Sequence, residues 1–92
     1  MARQPQVVIY IHSNEEPSQK LRAFLKDLGV SFVEKDAWNN NQVRRELMVL
    51  GYDSTPVTLI DGTPIRGFKP DELTRELRLH SNPLNPPGQE PR

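Results

Sequence analysis

Apolar residues run along this chain in short groups whose spacing alternates between strand-like and helical. Val7-Val8-Ile9-Tyr10-Ile11 is an unbroken apolar run. Such a run suits a central strand covered on both faces, predicted over residues 6–12. Leu21, Phe24, Leu25 and Leu28 then recur at helical spacing, so a first helix is expected to begin between Asn14 and Pro17. Ser13 or Asn14 suits its N-cap, and Ser13 with Glu16 fits a capping box. Pro17 is tolerated in a first turn, where its missing N–H has no partner to lose. Gly29 closes the helix. Residues 30–36 alternate partly with period two and read as a second strand, and a helical connection makes the two strands a parallel βαβ crossover.

Residues 36–41, with Trp38 among several asparagines, form a loop. A second helix is predicted over residues 41–50, with Val43, Leu47 and Leu50 inward, Arg44, Arg45 and Glu46 outward, and Gly51 at its end. Residues 57–60 and 64–66 read as short strands joined by Asp61-Gly62, a strong antiparallel hairpin signal. Pro64 has no N–H for a ladder and favours a sheet edge. A third helix runs from Lys69 or Pro70 to Leu79, with Leu73 and Leu77 inward. Its early Asp71 and Glu72 and later Arg75 and Arg78 complement the helix dipole. From His80 onward the chain holds four of its nine prolines and little apolar surface, and reads as a disordered tail. The expected organisation is a polar lead at 1–5, one domain at 6–79 and the tail at 80–92.

Composition narrows the function. Twelve basic and twelve acidic side chains balance, which argues against a nucleic-acid or anionic-membrane binder, because phosphate affinity comes from summed positive charge. No apolar run approaches the roughly 20 residues of a membrane span, and the first residues lack the apolar core of a secretion signal, so the cytoplasm is the expected location. The absence of cysteine removes disulfides, thiolate catalysis and Cys-ligated zinc together.

The order βαβαββα, with a parallel pair followed by a hairpin, matches the minimal α/β thioredoxin-like layout of a four-stranded mixed sheet and three helices. The residues sharpen it: Val8-Ile9-Tyr10, Gly29-Val30-Ser31-Phe32, Gly51-Tyr52, Ser54-Thr55-Pro56-Val57, Ile60-Asp61-Gly62 and Gly67-Phe68-Lys69-Pro70-Asp71. Their joint order resembles glutaredoxins, and the last two groups resemble the NrdH-type redoxins, over about residues 6–79. The family carries a Cys-x-x-Cys motif at the start of its first helix. Ungapped counting from Tyr10 forward and from Gly29 backward places that motif on Glu15-Glu16-Pro17-Ser18. A slip to residues 16–19 needs an inserted residue. Neither carboxylate nor serine can form the mixed disulfide of the family reaction, so a redox-inactive member is expected, with no catalytic residue and no cofactor.

The resemblance also implies that Thr55-Pro56 is the family's cis-proline loop. A groove lined by His12, residues 15–18, Thr55, Pro56, Gly67 and Phe68 would then take an extended peptide or protein partner through backbone pairing. Glu15 has two readings. As a first-turn acid it stabilises the helix by roughly 0.3–1 kcal/mol, which is the simpler account. As a fixed negative charge in the place of a thiolate, it offers a docking feature. The alternative of a glutathione-linked, transferase-like activity through Ser18 or Ser13 is not favoured, since Gly67 to Asp71 resembles redoxins that use glutathione poorly and a serine at a helix start is usually a cap. His12 beside Glu15 and Glu16 is a weak metal signal, so no metal is expected, and a solvated capping role suits His12 better. Trp38 either anchors an interface or folds over the sheet edge.

Overall fold

The computed structural model describes residues 4–80. Part of the expected lead and residues 81–92 of the expected tail lie outside the described residues. The order is β1 (Val7–Ile11), α1 (Glu16–Asp27), β2 (Val33–Asp36), α2 (Asn41–Val49), β3 (Val57–Ile60), β4 (Thr63–Arg66) and α3 (Pro70–His80). The strands form one mixed sheet in the order β2-β1-β3-β4. β1 pairs in parallel with β2, Val8 opposite Val33, and antiparallel with β3, Val7 opposite Ile60. β4 closes the hairpin with Ile60 opposite Thr63, and it leaves Pro64 on an edge strand as expected. Asp61 and Gly62 both adopt positive φ, +50° and +88°, which a two-residue turn matched to the strand twist demands.

The unbroken apolar run of β1 is explained by its two covered faces. Val7, Ile9 and Ile11 point to one core with Leu21 and Leu25 of α1 and Leu73 and Leu77 of α3. Tyr10 points to the other, with Ala37, Val57 and Leu47 of α2. Full burial of a leucine or isoleucine is worth about 1.5–3 kcal/mol, so these residues anchor α1 and α3 on one face and α2 on the other.

Several expectations need correction. β2 starts at Val33 rather than residue 30, because Val30 belongs to the exit of α1. Its N–H bonds to Leu25 O at 3.0 Å while Gly29 N–H bonds to Lys26 O at 3.0 Å, satisfying carbonyls the helix leaves open. Leu28 and Leu50 are C-cap residues rather than core, 48% and 44% exposed, because the chain is already leaving each helix there. His80 is the last residue of α3 and not the start of a tail. Its ring lies 3.1 Å from Asp61 Oδ2 and 3.3 Å from Glu76 Oε1. Glu46, expected outward, is half-buried because it receives the Tyr10 hydroxyl at 2.7 Å and Lys35 Nζ at 2.6 Å.

Candidate functional site

β1 delivers the chain to the end of the sheet, where residues 12–15 turn into α1. Glu15 N–H donates to His12 O at 2.9 Å, and Asn14 N–H donates to His12 Nδ1 at 3.3 Å. The N-cap of α1 is Glu15, in extended conformation with no side-chain cap bond. Neither Ser13 nor Asn14 caps, and the expected capping box does not form. Glu16 instead lies on the surface, 3.7 Å from Lys20 Nζ.

Glu15 turns inward across the sequence. Its Oε1 accepts the Thr55 hydroxyl at 2.6 Å and lies 3.4 Å from the Ser18 hydroxyl. The simple dipole reading of Glu15 is therefore incomplete, because the carboxylate ties the helix start to a loop forty positions later. Among the described residues no cation pairs with it. Ser18 is fully buried, and its oxygen also accepts the His12 N–H at 3.1 Å. The buried Ser18 hydroxyl is thus committed to internal partners.

The Thr55–Pro56 peptide bond is cis. Neither the N–H nor the C=O of Thr55 bonds to a described residue. Pro56 O accepts the Gly67 N–H at 2.8 Å, which fixes Gly67 and Phe68 beside the loop, and Phe68 meets Phe24 edge to face with centroids 5.7 Å apart. Two open depressions meet at Thr55. One, of about 350 Å³, is lined by Glu16, Pro17, Lys20, Thr55, Pro56, Gly67 and Phe68. The other, of about 530 Å³, holds His12, Glu15, Trp38, Arg44, Asp53 and Thr55 among its lining. The expected groove residues are therefore divided, with His12 and Glu15 on one side of Thr55 and Pro56, Gly67 and Phe68 on the other. Ser18 lies beneath, in neither lining.

Trp38 is partly packed and partly open. Its ring stacks on His12 with centroids 4.3 Å apart and stays 49% exposed. His12 is correspondingly half-buried rather than simply solvated. The loop beneath is held by Asp36, whose carboxylate accepts the Trp38 N–H at 2.9 Å and the Asn39 side-chain amide at 2.7 Å. Partial burial acts to raise the Asp36 pKa. The hydrogen bonds from Asn39, Trp38 and Ser13 together prevail and hold it below the usual carboxylate value. Arg44, expected on a solvated face, folds back onto this loop: Nε reaches Ala37 O at 3.3 Å, Nη2 reaches Trp38 O at 3.3 Å, and Nη1 reaches Asn41 Oδ1 at 3.0 Å.

Lys20, Arg44 and Asp53 were not among the sequence candidates for this site, and nothing in local pattern marks an exposed charged residue as cavity-lining. The Tyr10–Glu46–Lys35 cluster had one signal, a phenol inside an aliphatic strand that needs a partner. Burial, then the Glu46 hydrogen bond and charge, push the Tyr10 pKa up to about 12. The Lys35 and Tyr10 hydrogen bonds lower that of Glu46. Among the described residues no group of three or more His, Asp or Glu side chains can hold a metal ion, and no helix is long and apolar enough to cross a membrane.

The family model describing glutaredoxins matches residues 7–65. The chain belongs to the glutaredoxin family. This glutaredoxin-family chain is similar in structure to the thioredoxin-like protein BC3987, with a TM-score of 0.73 and 27% identity over 78% of this chain and 100% of that one. A glutaredoxin from Methanosarcina mazei Go1 is 26% identical with a TM-score of 0.68, covering 78% of this chain and 77% of that one. The glutaredoxin-like NrdH-redoxin from Escherichia coli has a TM-score of 0.69 at 18% identity, covering 76% of this chain and 92% of that one, a likeness of fold alone. Comparison with curated proteins finds no match. This chain itself has no cysteine.

Proposed function

We propose that this chain is a redox-inactive glutaredoxin-family module that binds an extended peptide segment of a protein partner, with Glu15 standing where the family places its attacking sulfur. Thiol–disulfide exchange requires a thiolate to form a mixed disulfide, and no residue here can supply one. What supports a binding role is the unpaired backbone of Thr55 beside the pinned Glu15 carboxylate. An N–H and a C=O left open between two depressions offer an extended chain the hydrogen bonds of strand addition, and such pairing needs no reactive side chain. The Thr55 and Ser18 bonds keep Glu15 in one position, so a partner meets a fixed charge without having to order it.

The test is to restore the sulfurs. A Glu15→Cys/Ser18→Cys variant is expected to catalyse insulin reduction by dithiothreitol, while the wild type leaves the uncatalysed rate unchanged. A folded double-cysteine variant with no activity above background would mean that the groove does not accept an extended disulfide substrate, and the proposal would fall.

A further inference from the structure

The depression on the Trp38 side has a chemistry of its own. One wall is aromatic: the half-exposed indole of Trp38 stacked against the His12 ring. Two acids, Glu15 and the exposed Asp53, also line the depression. Oε1 of Glu15 carries both of its hydroxyl contacts, which leaves Oε2 without a described partner. Neither acid meets a cation among the described residues. The cation that does line the cavity, Arg44, is turned onto three neutral acceptors of its own loop and helix. Those bonds occupy its N–H groups without cancelling its charge, and two carboxylates against one guanidinium leave the balance of acidic and basic side chains in the lining negative by one.

We propose that this cavity is a specificity pocket for an arginine side chain of the bound segment. A planar guanidinium suits it on two counts. It can lie flat on the indole face, as weakly hydrated cations do on aromatic rings, and it can direct its fork of N–H groups at the free oxygen of Glu15 and at Asp53. A lysine ammonium is a more strongly hydrated point charge without a stacking face and satisfies only the second. A volume of about 530 Å³ accommodates the side chain together with part of the segment that carries it. Thr55 lines this cavity as well as the neighbouring one, so a segment paired with its backbone can place one side chain directly into the pocket. This inference rests on the peptide-binding reading above and adds the identity of the side chain that is selected.

Matched seven-residue blocked peptides differing only at the central position, arginine, its neutral isostere citrulline, or glutamate, separate the two claims. Trp38 is the only tryptophan, so its fluorescence reports binding at the pocket wall. The arginine peptide is expected to bind about tenfold or more tightly than the citrulline peptide, with the preference collapsing in Glu15→Gln and weakening in Asp53→Asn. An unchanged thermal midpoint in Asp53→Asn separates lost recognition from lost folding. Equal binding of the arginine and citrulline peptides, with amide shifts at Thr55, would overturn the arginine pocket and leave the groove standing. Preference for the glutamate peptide would also overturn it, assigning the pocket to Arg44 and His12. Failure of every peptide to bind would remove the groove and the pocket together.

Discussion

Replacing Ser18 by alanine tests how the site is built. Ser18 is 0% exposed, and its oxygen is the acceptor for the His12 N–H at 3.1 Å and the second donor toward Glu15 at 3.4 Å. Alanine removes the oxygen, so the part-buried His12 N–H loses the fully buried acceptor it points at. An orphaned buried donor costs about 1–3 kcal/mol. The Glu15 contact is long and adds little. For a domain of this size each kcal/mol moves the thermal midpoint by roughly 4–8 °C, so a fall of about 4 °C at the least is expected. Urea unfolding followed by far-ultraviolet circular dichroism gives the free energy, and hydrogen exchange at the His12 amide should accelerate in parallel. Ser54→Ala, at an exposed serine, serves as the control and should stay within about 0.5 kcal/mol of wild type. A Ser18→Ala variant that behaves like the control would refute the claim that this hydroxyl holds the turn together.

Thr58 is fully buried in β3, and its hydroxyl has no partner among the described residues. Thr58→Val should therefore stabilise the fold by about 1 kcal/mol, read as a higher urea midpoint, and a lower midpoint would show that the hydroxyl is satisfied in solution. Asp36, with its folded pKa below the ordinary carboxylate value, contributes stability that is present above the unfolded pKa and is lost as pH falls through the folded one. The stability difference between wild type and Asp36→Asn should thus hold steady well above 3.8, the ordinary carboxylate value, and shrink as pH falls below it, and a constant difference in urea midpoints across that range would contradict the network drawn around the Trp38 loop.

The fold was legible because each element carries a local signal that its packing reinforces. The apolar run of β1 needs two covered faces and receives them, the Asp61-Gly62 pair dictates the hairpin, and Leu73 and Leu77 share the face of α3 that meets the sheet. Boundaries failed where a turn overrode the periodicity, at Val30 and at Leu28 and Leu50, because helix exits are set by hydrogen bonds rather than by side-chain pattern. The candidate site was legible as a list of positions and not as an arrangement. Glu15 reaching Thr55, Arg44 folding onto the Trp38 loop and Glu46 receiving Tyr10 are contacts that no local spacing encodes. Each replaces a plausible local role, such as a cap or a solvated face, with a tertiary one. The expected single groove is instead two depressions that share Thr55.

The most direct test of a retained groove is an amide NMR titration of the isotope-labelled wild-type chain with carboxymethylated insulin B chain, an extended peptide that cannot form a disulfide. Strand addition at Thr55 predicts the largest shifts at Thr55, Gly67 and Phe68, together with slowed exchange of the Thr55 N–H. Shifts confined to other surfaces, or none at peptide concentrations that saturate the double-cysteine variant, would contradict it.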